Sequence, residues 1–306
     1  MVNELSSESS ESQHVDEPQL AAGDAAFTDE DSSPDRSKHQ AASTDSEHRQ
    51  DELADERMLV SKILLDIDAG SANKCSVNVG DADIDIQVNS SNRILVTATT
   101  LQGVDLASFD VAKRSRSLSF SFLPASRLRK VLRASNDKVR LTVHLPERLG
   151  VVASSTTGSI AVVGVKGPVT LSSTSGSLSV KDLTGPVKAE TESGNIFGIC
   201  YSSSVQLATK NGNIEVGGLA GGLVCNTKTG AAHLTWSDVP DDAKVVVHTG
   251  AGPATLYFPP TAKLNYRFIT GANAIMNEFE QCDASNFLVR MISRRGSLFL
   301  KKAVSS

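Results

Sequence analysis

The sequence predicts an all-β chain, a right-handed parallel β-solenoid of about 18 residues per coil behind a disordered acidic N-terminal tail. Three observations carry that reading. The first is a glycine column: Gly158, Gly176, Gly194, Gly212 and Gly230 recur at one interval, inside Thr157-Gly158-Ser159-Ile160, Ser175-Gly176-Ser177-Leu178, Ser193-Gly194-Asn195-Ile196, Asn211-Gly212-Asn213-Ile214 and Thr229-Gly230-Ala231-Ala232. A fixed period with a fixed glycine marks a repeat architecture, and the expectation is a tight corner with positive φ at each one. The second is apolar alternation. Two residues past each glycine stand Ile160, Leu178, Ile196, Ile214 and Ala232, and two further on Val162, Val180, Gly198, Val216 and Leu234, the period of a half-buried strand. The third is a second alternating strand in each repeat, opened by Val169, Val187, Val205 and Leu223 after a turn and running on to Ser173, Thr191, Thr209 and Thr227. Like columns touch when equivalent strands stack in parallel about 4.8 Å apart. A meander has no cause to keep its columns alike. A left-handed hexapeptide coil needs apolar residues every six positions, which these columns do not supply.

Taken in order, residues 1–56 are a different material. They hold 16 of the 35 Asp and Glu residues with one Phe, and cannot bury enough apolar surface to offset the entropy of ordering. Thr28 and Thr44 lie there in acidic contexts that suit phosphorylation. From Leu59 the pattern is strand-like, through Leu64-Leu65-Asp66-Ile67, Ser76-Val77-Asn78-Val79, Asp83-Ile84-Asp85-Ile86 and Arg93-Ile94-Leu95-Val96, so residues 57–306 read as one domain. Between Lys113 and Arg140 lies a basic stretch in which Asp137 is the only acid, and Arg114, Arg116, Arg127, Arg129, Lys130 and Arg133 are the candidate anion-facing patch. The plainer reading is a charged, solvated strand edge. Past Gly230 the period loosens to Thr249-Gly250 and Thr270-Gly271, with the added residues at Asp238–Asp242 and Phe258-Pro259-Pro260. Trp236 is expected to pack at this irregular part, and Ser285–Leu300 to form the last strands and cover the open end.

The strand ending at Leu145-Pro146, the turn holding Leu149, and the run into Thr157-Gly158-Ser159-Ile160 resemble the family described as putative adhesin, a bacterial-type β-solenoid domain also found in some eukaryotic proteins. The Ser193-Gly194-Asn195-Ile196 type of repeat and Val77-Asn78-Val79-Gly80-Asp81-Ala82-Asp83-Ile84 are similar to it too. The resemblance spans roughly residues 60–300. It implies a right-handed β-solenoid and brings no established catalytic residue.

Chemistry is sparse. Glu190 and Glu192 share a strand face, but one repeat to either side the same places hold Ser172, Thr174, Ala208 and Lys210, so no carboxylate pair builds for glycoside chemistry. His144, His233 and His248 lack metal-site spacing, and Cys75, Cys200, Cys225 and Cys282 show no C-x-x-C pair. No cofactor, no metal and no enzymatic activity are expected. No apolar run approaches the roughly 20 residues of a transmembrane helix, and the N-terminus lacks a signal-peptide pattern, so a cytoplasmic or nuclear location is the expectation. No specific nucleic-acid motif is present. The function read from sequence is a non-enzymatic, adhesin-like binding or scaffold module with a protein or polyanionic partner. The alternatives are a self-associating, filament-forming β-helix and a carbohydrate-active enzyme.

Overall fold

The computed structural model describes residues 59–101, 109–114, 117–122, 139–271 and 274–304. The N-terminal strands are β1 (Leu59–Asp68), β2 (Lys74–Val79), β3 (Ala82–Asn89), β4 (Arg93–Leu101), β5 (Phe109–Arg114), β6 (Ser117–Phe122) and β7 (Val139–Pro146). The repeats supply β8 (Gly150–Ser155), β9 (Ile160–Val163), β10 (Val169–Ser173), β11 (Leu178–Leu183), β12 (Val187–Thr191), β13 (Ile196–Cys200), β14 (Ser204–Thr209), β15 (Ile214–Leu219), β16 (Gly222–Thr227) and β17 (Ala232–Trp236). The chain ends with β18 (Asp242–Thr249), β19 (Ala254–Phe258), β20 (Asn265–Thr270), β21 (Ile275–Asn277), β22 (Asn286–Ser293) and β23 (Leu298–Lys302).

Among the described residues the protein is all-β, with long parallel sheets of the kind a β-solenoid has. The first sheet orders its strands β1-β4-β7-β3-β9-β11-β13-β15-β17-β19-β23-β21, the second β20-β22-β18-β16-β14-β12-β10-β8-β2-β6-β5. In the middle of the chain parallel partners stand one sequence repeat apart: Ile160 faces Leu178, Leu178 faces Ile196 and Ile196 faces Ile214. All four are fully buried. Val151, Val169, Val187, Val205 and Leu223 form the matching column of the second sheet. The core between the sheets is thus made of stacked aliphatic rows, and each row supplies its contacts at nearly the density of a crystal.

The glycine column has a different cause from the one expected. Among the described residues positive φ occurs at Gly70, Gly164, Gly198, Gly218 and Asp182, and at none of the five column glycines. What forbids a side chain there is close approach. A Cβ on Gly176 would lie 1.9 Å from the Gly158 carbonyl oxygen, and one on Gly194 would lie 2.0 Å from that of Gly176. The column also continues elsewhere than through Gly250 and Gly271: Gly252 sits on Gly230, and Gly296 on Gly252.

Beside this column runs a buried row of hydroxyls. Thr191 Oγ1 donates to Gly176 O at 3.0 Å and Thr209 Oγ1 to Gly194 O at 3.0 Å, while Ser173 Oγ donates to Gly158 O and accepts from the Gly176 amide at 2.9 Å. A glycine corner leaves backbone groups that the strands cannot pair, and in a dry interior these require partners. Hence Ser and Thr, not Val, occupy this inward-facing position.

Both ends depart from a simple continuation of the repeats. At the N-terminal end β1 and β4 pair antiparallel, as do β4 and β7, and β5 and β6. The parallel stack therefore stops at β7 and β6, and antiparallel strands complete that end. β2 and β3 pair with β8 and β9 across a long stretch of sequence, and β6 and β7 lie outside them. At the other end β22 and β23 do not cover the stack. They lie against β18 and β19, and the earlier β20 and β21 take the edges. The aromatic core decides this order. Trp236 stacks on Phe258 with centroids 4.3 Å apart, and Phe258 meets Phe279 and Phe287 edge-on at 6.4 and 5.7 Å. Trp236 Nε1 donates to Gly221 O at 3.0 Å, so the buried indole is satisfied in the irregular part where it was expected.

Candidate functional site

Arg114 lies in β5, opposite Ser117 of β6. Arg116, Arg127, Arg129, Lys130 and Arg133 lie outside the described residues, as do residues 1–56. The candidate site that the structure itself presents is on the outer face of the second sheet.

Alternation puts every other residue of each strand outward. In register, Glu190 neighbours Ala208, Ala208 neighbours Asn226, Asn226 neighbours His248, and His248 neighbours Ile292. At the strand ends the chain turns, and Glu192, Lys210, Lys228 and Arg294 come alongside. With Ser172, Glu190, Ala208, Asn226 and His248, these four line an open groove of about 580 Å³. Ala208, set between Glu190 and Asn226, is the small side chain of this row.

The charges in the groove are unevenly matched. Glu190 is bound by Lys188 at 2.9 Å, and Glu192 by Lys210 at 2.6 Å. Both pairs are half-exposed to water and worth little to stability. Lys228 and Arg294 have no ion pair among the described residues. The basic character continues past the groove. Arg290 of β22 stands directly opposite Arg267 of β20, and both are exposed. Asp242, at the start of β18, is the only carboxylate in β16, β18, β20 and β22. Like charges directly opposite on one sheet face repel, and an anion laid across them removes that repulsion.

Sequence reasoning kept Glu190 and Glu192 apart from any catalytic pair, and in the structure each is held by a lysine. It missed the convergence of Lys228, His248 and Arg294. Lys210 and Lys228 do share one repeat column, which was a visible signal. His248 and Arg294 arrive from strands whose spacing departs from the repeat, so nothing in the period announces them. No group of three or more metal-ligating side chains occurs among the described residues. Cys75 and Cys225 are buried thiols whose pKa burial pushes up to about 12, and burial also raises that of Cys200, so none of these supplies a nucleophile near neutrality. No helix among the described residues is long and apolar enough to cross a membrane.

No protein-family model matches the chain, and no curated protein matches it in sequence. Among solved structures it is similar to one described as a putative adhesin from Parabacteroides merdae, at 12% identity over 81% of this chain and 98% of that one, with a TM-score of 0.48. It is also similar to a putative cell adhesion protein from Clostridium sporogenes, at 14% identity over 80% and 99% of the chains with a TM-score of 0.27. A third is a putative lipid binding protein from Parabacteroides distasonis, at 14% identity over 80% and 97% with a TM-score of 0.41. The resemblance to adhesins read from the sequence thus meets solved structures that bear that name, and the names are those of adhesion and binding proteins rather than enzymes. The expected cytoplasmic or nuclear location is contradicted by the same finding: the similar solved structures are bacterial proteins named for cell adhesion, which is a cell-surface or extracellular role for those proteins.

Proposed function

We propose that the chain is a non-enzymatic binding module that takes an extended anionic ligand along the outer face of its second sheet. In this reading residues 57–306 form the adhesin-like domain, a right-handed solenoid with coils of about 18 residues, and residues 1–56 an acidic segment outside it. One observation carries the functional part. Lys228, His248 and Arg294, from three different strand ends, line one groove whose carboxylates, among the described residues, are already held by Lys188 and Lys210. Arg290 and Arg267 prolong the same cationic track. A concave groove with discrete donors suits a polymer chain better than a bilayer, which meets a flat or convex surface. Each exposed contact contributes about 0–1 kcal/mol, so affinity depends on several made together and falls with salt.

The test is titration of the full chain with a heparin dodecasaccharide at low ionic strength, with neutral dextran as control. Replacing Lys228, Arg290 and Arg294 together by Ala should weaken binding by about tenfold or more, the sum of three such contacts, and flatten its salt dependence. Heparin affinity equal in the triple variant and the parent sinks the proposal. Binding to anionic vesicles but not to heparin would replace the polymer by a membrane surface.

A further inference from the structure

A second site lies on the opposite face of the molecule, on the outer side of the first sheet, and its chemistry differs. One register row crosses β3, β9, β11 and β13 as Asp85, Ala161, Ser179 and Phe197. Three strand spacings separate its ends, about 14 Å. Asp83 and Arg140 face each other at the carboxylate end, and these residues enclose an open trough of about 320 Å³. Small residues form the floor, an aromatic stands at one end, and two carboxylates with a guanidinium stand at the other.

The polar groups are held but not used up. Asp83 Oδ1 accepts from the Ser159 amide at 2.8 Å, and Asp85 Oδ2 accepts from Gln87 Nε2 at 2.8 Å. The second oxygen of each carboxylate accepts nothing among the described residues, and Arg140 makes no ion pair among them. Phe197 is 44% exposed, and Ile199 of the same strand and Tyr201 just past its end extend the apolar strip at 43% and 47%. A Cβ on Gly218 would meet Ile199 and Tyr201 at about 3 Å, so these two side chains lie over a glycine that leaves them room. Phe197 stands in its column between Ser179 and Glu215, and an aromatic side chain this exposed between two polar neighbours is not there for the core.

We infer that this trough binds a neutral or amino-substituted oligosaccharide, about two pyranose rings lying across the strands between Asp85 and Phe197. A sugar ring offers an apolar C–H face to an aromatic side chain, while its hydroxyls donate to carboxylate oxygens and accept from a guanidinium. Trough volume is at the low end of small-ligand sites. The two carboxylates outnumber the one arginine, so acidic sugars are disfavoured here, the reverse of the groove on the second sheet. This site stands on residues that the anionic-ligand proposal does not use.

The experiment screens the full chain by saturation-transfer NMR and calorimetry against cellotetraose, chitotetraose, its de-N-acetylated form, maltotetraose and mannotetraose. At least one should bind. For that sugar Phe197→Ala should lower affinity by about tenfold, the size of one stacking contact, Phe197→Trp should restore it, and Asp85→Asn should weaken it several-fold. Heparin binding should be unchanged in all three variants, and the Lys228, Arg290 and Arg294 triple variant should bind the sugar normally. These substitutions are on the surface, and an unaltered melting temperature verifies the fold. Absence of binding to every tetrasaccharide overturns the inference. So does a bound sugar whose affinity Phe197→Ala and Asp85→Asn both leave within twofold. Retained binding of an arginine-rich peptide with none of any sugar would assign the carboxylates to a basic protein partner and equally overturn it.

Discussion

Replacing Gly194 by Ala tests the physical basis of the stack directly. The new Cβ would lie 2.0 Å from Gly176 O, 2.6 Å from Gly176 C and 3.0 Å from Ser177 N. All three are backbone atoms of the adjacent repeat, so no side-chain rotation relieves the clash. Ordinary carbon–oxygen contact requires the two corners to separate by more than 1 Å, roughly a quarter of the strand spacing. That movement strains the packing by about 1–3 kcal/mol. It also weakens the bonds that cross the corner, Thr209 Oγ1 to Gly194 O at 3.0 Å and Thr191 Oγ1 to Gly176 O at 3.0 Å, at about 1 kcal/mol each. The expected loss is therefore about 3–5 kcal/mol in urea unfolding. Gly217→Ala is the control: nothing lies within 4 Å of a Cβ there, and its φ is not positive. That variant should be neutral or gain up to about 1 kcal/mol through a stiffer unfolded chain. Hydrogen exchange should localise the Gly194→Ala damage to the amides of the flanking repeats. If Gly194→Ala unfolds within 0.5 kcal/mol of the parent, close approach is not what keeps the column glycine.

Two further outcomes follow from the same interior. Thr249 Oγ1 is buried without a hydrogen-bond partner, so Thr249→Val should raise stability by up to about 1 kcal/mol, while Thr209→Val, which breaks a formed bond, should lower it by about 1–3 kcal/mol; thermal melts of the pair check the contrast. Thiol reagents should label half-exposed Cys282 in the native protein and reach buried Cys75, Cys200 and Cys225 only on unfolding. The raised pKa of Cys75 and Cys225, about 12 against an ordinary value near 9, fixes the sign of an alkaline effect. The folded state favours the neutral thiol, so this stability is complete below pH 9 and is lost as pH rises towards 12, by about 1 kcal/mol per pH unit for each thiol. The Cys75→Ala, Cys225→Ala double variant should show a shallower decline between pH 9 and 10, and an unchanged slope would refute the assignment.

Sequence alone determined the parallel stacking of the middle of the chain and which side chains face inward there. In a stack of equivalent strands each residue meets its own column, so a constant interval between Ile160, Leu178, Ile196 and Ile214 is a statement about contact. It also marked the Ser and Thr positions that the glycine corners need, though not their reason, because the carbonyl each hydroxyl reaches belongs to the preceding repeat. Tertiary structure decided the ends. Alternation in Asp83-Ile84-Asp85-Ile86 or Arg93-Ile94-Leu95-Val96 specifies a buried face without specifying a partner or a direction, so the antiparallel pairing of β1 with β4 could not be read. Nor could the placing of β22 inside β20, which depends on Phe287 reaching Phe258. Both candidate sites belong to this second class. The repeat brings Lys210 and Lys228 together, but Arg294 joins them, and Asp85 meets Ala161, only through register between strands far apart in the chain, and register across such distances is set by packing of the whole core rather than by any local pattern.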